Sequence, residues 1–95
     1  MTNKIVNRFL DDNGRLKQWP SKSKDKLLVT EYLATKFAAD RSYREQEVNE
    51  LLKQWHTFSD WPLLRRSLVD YGYMSRTTDG SEYQPLPVRP SQTQE

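Results

Sequence analysis

A mainly α, α+β fold is predicted, of winged helix-turn-helix architecture: three core helices, a C-terminal β-hairpin wing, and an N-terminal helix followed by an extended segment. Three observations predict it. Apolar residues recur at helical spacing in three separate stretches, a short turn joins the last two, and an Asp-Gly hairpin signal follows directly on the third. One 95-residue chain has room for a single core. A single domain is therefore expected over residues 1–84, with a disordered tail over 85–95.

The first element rests on IVNRFL, where Ile5, Val6, Phe9 and Leu10 share one helical face and Thr2 or Asn3 is a cap candidate. Asn13-Gly14 ends it, because glycine tolerates positive φ, and Arg15 to Trp19 runs extended into Pro20. The second helix opens at SKSKDK, with Ser21 and Ser23 as cap candidates. Leu27, Leu28, Val29, Tyr32, Leu33 and Phe37 spread over a wide arc that marks it as central. Ser42 with Glu45 fits a capping box for the third helix, whose Val48, Leu51, Leu52 and Trp55 form the clearest stripe in the chain. After the turn HTFSD, Ser59 or Asp60 caps a helix over about 61–71 with Pro62 in its first turn. Gly72 stops that helix, and YMSRTT and SEYQ flank Asp79-Gly80 as a hairpin over about 73–84.

Composition narrows the function classes. With no cysteine, disulfides and thiolate metal sites are excluded and a reducing compartment is expected. The N-terminus has no apolar run of signal-peptide length, and no window approaches the roughly 18 apolar residues of a spanning helix. A cytoplasmic chain without membrane partners is the expectation. His56 is the only histidine and there are three glycines, so neither a histidine-based triad, a metal cluster nor a phosphate-binding glycine loop can be assembled from the spacing. No enzyme activity and no cofactor are expected.

Net charge is +2, a weak pointer to nucleic acid by itself, but its distribution is uneven. Residues 1–36 hold eight basic and four acidic side chains, and residues 37–95 hold seven and nine. Within RLKQWPSKSKDK, Lys22, Lys24 and Lys26 stand around a helix N-terminus, where free amides can also hold a phosphate and where lysines oppose the helix dipole. A solubilising loop is the plainer explanation of the same lysines.

The stretch LLRRSLVDYGYMSR carries the paired arginines. On a wheel of about 100° per residue, Leu68, Tyr71 and Trp61 share the stripe of Leu64, Arg66 points away from it, and Arg65 lies at the flank near Val69. Arginines facing away on such a helix can reach base edges or phosphates. The competing explanation is an Arg66–Asp70 surface pair at i, i+4, worth about 0.3 kcal/mol. Arg76 on the hairpin divides the same way, between a phosphate contact and an ordinary exposed strand residue. Trp19, Trp55 and Trp61 are read as core residues rather than stacking platforms.

The segments GRLKQWPSK, EVNELLKQWH, LRRSLVDYGYMSR and DGSEY resemble the bacterial family catalogued as domain of unknown function 2087, over about residues 8–84. The resemblance implies a winged helix that occurs alone or attached to regulatory modules. The passage LRRSLVDYGYMSR is also similar to the recognition-helix-to-wing segment of bacterial repressors, which implies that Arg65 and Arg66 face DNA. Two departures stand out: Arg44 replaces the usual capping threonine, moving the expected helix start toward Ser42, and Trp61-Pro62 alters the start of the recognition helix.

The function expected from these features is duplex DNA binding by a small transcriptional regulator. Arg65, Arg66, Arg76, Lys22, Lys24 and Lys26 are the nucleic-acid contacts. The alternative is a winged-helix adaptor that binds a regulatory protein or polymerase component. A homodimer is expected to use the N-terminal helix through Ile5, Val6, Phe9 and Leu10.

Overall fold

The apolar residues spaced three and four apart become the inward faces of the helices. In the computed structural model, which describes residues 4–86, the elements run α1 (Lys4–Asn7), α2 (Ser23–Ala34), β1 (Tyr43–Arg44), α3 (Glu45–Gln54), α4 (Trp61–Asp70), β2 (Met74–Arg76) and β3 (Glu82–Pro85). Val29 and Leu33 of α2, Val48 and Leu52 of α3, and Leu64 and Leu68 of α4 are at most 1% exposed, so the three helices share one core. The α+β, mainly α class holds. Among the described residues no helix is long and apolar enough to cross a membrane.

The sheet closes one side of this core. β3 lies between β1 and β2 and is antiparallel to both, pairing Tyr83 with Tyr43 and with Arg76. Tyr43, Met74 and Tyr83 turn inward, and Tyr43 meets Phe37 edge to face at 5.1 Å. Strand β1 is an addition to the two-stranded hairpin expected from sequence. Two residues carry no readable alternation, and the pairing partner is about forty residues away in the chain.

Pro85 ends β3 without breaking it. The flanking bonds Thr77 N–H to Glu82 O (3.0 Å) and Leu86 N–H to Tyr73 O (2.9 Å) put Met74 and Pro85 at a non-bonded pair, so the missing proline N–H faces the side that β1 no longer covers. Strand β3 thus includes Pro85, the first residue of the segment expected as tail, and Leu86 N–H still bonds Tyr73 O. Residues 87–95 lie outside the described residues, as do the cap candidates Thr2 and Asn3.

Several local expectations are corrected by chemistry the side chains lack or gain. α2 is preceded by Lys22, with no side-chain cap from Ser21 or Ser23, and Asp25 in its first turn is buried. Leu27 remains 39% exposed, so the apolar arc of α2 is narrower than its sequence implied. α3 starts after Arg44 instead of Ser42. Glu47 accepts from Arg44 N–H at 2.8 Å, but arginine has no acceptor to return the bond, so only half of a capping box forms. The same Arg44 N–H, with Arg41 beside it, draws the Glu47 carboxyl below its ordinary value.

The N-terminal segment is stitched to the corner between α3 and α4. Leu16, fully buried, donates to Trp55 O at 2.8 Å and accepts from Thr57 N–H at 2.9 Å. Tyr32 OH donates to Gly14 O at 2.7 Å, and Lys36 Nζ lies 4.0 Å from the Trp55 ring centroid. Trp19 and Trp61 also pack on the core, as expected for apolar plugs. The face expected as a dimer surface is largely used inside the chain: Val6 is buried, and Phe9 and Leu10 are half-buried against the core.

α4 ends as its glycine predicts. Gly72 adopts φ 83°, its N–H donates to Val69 O at 3.1 Å, and Tyr73 N–H donates to Leu68 O at 2.9 Å, the paired bonds of a Schellman stop. A Cβ at Gly72 would meet no atom within 4 Å, so only the backbone conformation opposes substitution there. Gly72→Ala is therefore expected to lower the unfolding free energy by about 1 kcal/mol, with Gly72→Asn recovering most of it. Urea denaturation of the three proteins checks both values.

Candidate functional site

α4 and the β2–β3 hairpin leave a groove between them of about 450 Å³. Its walls include Pro62, Arg65, Arg66 and Asp70 from α4, and Arg76 and Tyr83 from the hairpin. Helical spacing puts Pro62, Arg66, Val69 and Asp70 on the face opposite Leu64 and Leu68, which is why one side of α4 builds the core and the other the groove. Register supplies the hairpin wall, because Arg76 pairs with Tyr83 across the two strands. All three sequence-predicted arginines border this one concavity.

Their surroundings differ. Arg66 is exposed, and among the described residues it makes no ion pair with Asp70, so the expected surface pair is not formed. Arg76 is also exposed, and a Cβ at Gly80 would lie 3.6 Å from its Nη1, which puts the guanidinium alongside the hairpin tip. Arg65 turns instead toward α3. Its Nη1 donates to Asn49 Oδ1, its Nη2 lies 3.4 Å from Glu45 Oε2, and its side chain is 22% exposed. Sequence reasoning passes over Asn49 and assigns Glu45 to a capping box with Ser42, not to Arg65. A helix-interior asparagine one turn after a glutamate was the available signal.

The hairpin tip is organised by Asp79. Its Oδ1 accepts from Thr77 Oγ1 at 2.7 Å, from Ser81 Oγ at 2.8 Å and from Ser81 N–H at 3.0 Å. Those bonds, that of Thr77 first, bring its carboxyl from 3.8 down to about 2. Asp79 is thus committed to holding the tip that carries Arg76. Gly80, at φ 74°, takes the left-handed position the loop requires.

The lysines stand apart from the groove. Lys22 and Lys24 are exposed and Lys26 is half-buried at the start of α2, and none of the three borders the concavity. A second concave face, of about 420 Å³, lies along α3 and β1 and carries Arg41, Arg44, Glu47 and Glu50 with Tyr43 and Leu51. Charges of both signs balance there. No group of three His, Asp or Glu among the described residues is arranged to hold a metal ion.

His56 is a structural residue of the same region. It is 4% exposed, its Nδ1 faces Leu52 O, and its Nε2 accepts from Asp60 N–H at 2.9 Å. The ring therefore bridges the last turn of α3 to the residue that caps α4. Asp60 Oδ1 in turn accepts from Leu63 N–H, fixing where the groove helix begins.

The contrast between the arginines can be measured through stability. A half-buried charge-assisted contact is worth about 1–2 kcal/mol after discounting for the exposure of Glu45, whereas an exposed arginine without an ion pair contributes within about 0.5 kcal/mol. Arg65→Ala is expected to lower the unfolding free energy by about the first amount, and Arg66→Ala by no more than the second. Chemical denaturation of both variants distinguishes them.

Neither a curated protein nor a solved structure matches the chain. A family model described as uncharacterized protein conserved in bacteria (DUF2087) matches residues 15–85, which takes in the sheet, α2, α3, α4 and the whole groove. The resemblance carried by GRLKQWPSK, EVNELLKQWH, LRRSLVDYGYMSR and DGSEY is thereby upheld, and the chain belongs to this bacterial family.

Proposed function

We propose that the chain is a small winged-helix protein that binds duplex DNA as a transcriptional regulator, through α4 and the β2–β3 hairpin. What supports the winged-helix part is the α3–turn–α4 pair followed at once by a hairpin whose sheet is completed by β1. The observation that carries the DNA part is the groove that brings Arg65, Arg66 and Arg76 together. In this reading Arg66 and Arg76 hold phosphates or base edges from its two walls. Lys22, Lys24 and Lys26 add outlying phosphate contacts at the start of α2. Asp70 in the groove opposes phosphate and keeps the affinity of a single copy low, so specific binding needs a second copy or a partner protein.

A second reading has its own support. The mixed charges and apolar Leu51 along α3 and β1 suit a protein partner, in keeping with an adaptor that docks on a regulatory protein or polymerase component and reads no bases.

Fluorescence anisotropy of a labelled mixed-sequence duplex, across a range of salt concentrations, separates the two. DNA binding predicts affinity that falls with salt and a log–log slope that loses about 0.9 for each phosphate contact removed, hence about 2 in Arg66→Ala/Arg76→Ala. A folded protein that leaves the duplex free at low salt overturns this reading and favours the adaptor.

A further inference from the structure

We infer that Arg65 is a positioning residue, bracing α4 against α3 through Asn49 and Glu45 so that Arg66 is presented to the ligand, and is not itself a phosphate contact. The inference rests on the DNA-binding reading and assigns different work to two adjacent arginines. Glu45 and Asn49 are four residues apart on α3 and so share one face, and the two terminal nitrogens of Arg65 reach one each. The fork of a guanidinium fits this two-point hold, which a lysine ammonium cannot reproduce.

Exposure points the same way. The Arg65 side chain is 22% exposed and its charge is already met by Glu45, whereas Arg66, the next residue, is exposed. Drawing both terminal nitrogens of Arg65 onto a phosphate would displace both partners and leave Asn49 without its donor. Asn49 and Glu45 do not line the groove, and Arg65 links them to α4. Among the described residues Arg65 is also the only groove arginine with a hydrogen bond or ion pair to α3.

The test uses the whole chain and the same mixed-sequence duplex, with Asn49→Ala, Asn49→Asp, Glu45→Gln and Arg66→Ala, each verified as folded by circular dichroism. Asn49→Ala is expected to weaken binding roughly three- to thirtyfold with the salt slope unchanged, since no phosphate contact is lost. Asn49→Asp restores an acceptor and recovers affinity, although its added negative charge would by itself repel DNA. Arg66→Ala reduces the slope by about 0.9. Should Asn49→Ala not fold, Glu45→Gln carries the same test: positioning predicts weaker binding despite removal of an acidic charge. Wild-type binding with Asn49→Ala or Glu45→Gln unchanged or tighter overturns the positioning role alone. Absence of wild-type binding overturns the DNA reading and this role together.

Discussion

The corner between α3 and α4 is the constraint on which the rest of the structure depends. His56 spans it from within, taking the Leu52 carbonyl on one side and the Asp60 amide on the other, and Leu16 closes it from outside through Trp55 O and Thr57 N–H. One buried ring and one buried leucine thereby tie the end of α3, the start of α4 and the extended N-terminal segment into a single junction. Buried backbone groups at a turn have to find partners, and here a side chain and a neighbouring strand-like segment supply them.

The direction of α4 follows from that junction. Its start is set by Asp60, its inner face by Leu64 and Leu68 in the core, its outer flank by Arg65 on α3, and its end by Gly72. Because the chain turns into β2 two residues after Gly72, the hairpin is delivered beside the solvent face of the helix it follows. The groove is thus a by-product of core packing and a glycine stop. Its arginines come from the outer face and the flank of one helix and from one strand position. Its electrostatics are mixed, with Asp70 among the arginines, in agreement with a chain whose net charge is +2.

What could be read from the sequence was what local spacing encodes. Val48 and Leu52 mark α3, Leu64 and Leu68 mark α4, and Gly72 and Asp79-Gly80 mark where helix and hairpin turn, because each depends on residues within one or two turns of one another. The features that escaped depend on distant partners. β1 exists because Tyr43 meets Tyr83, and Arg65 turns toward α3 because Asn49 and Glu45 wait there. A wheel drawn on α4 alone places Arg65 at the flank but cannot say which neighbour fills it. Likewise Ser42 fits a capping box in the string, yet pairing of Tyr43 and Arg44 with β3 holds those residues extended and moves the helix start past it.

The groove as a DNA-binding surface is tested most directly by mapping amide shifts of the ¹⁵N-labelled chain during titration with a short duplex. DNA binding in the groove predicts that perturbed amides cluster on residues 63–70 and 76–82, with smaller shifts at 22–26 and the α3–β1 face at 43–54 unmoved apart from neighbours of Arg65. Shifts concentrated on the α3–β1 face, or none at any duplex concentration, would contradict it.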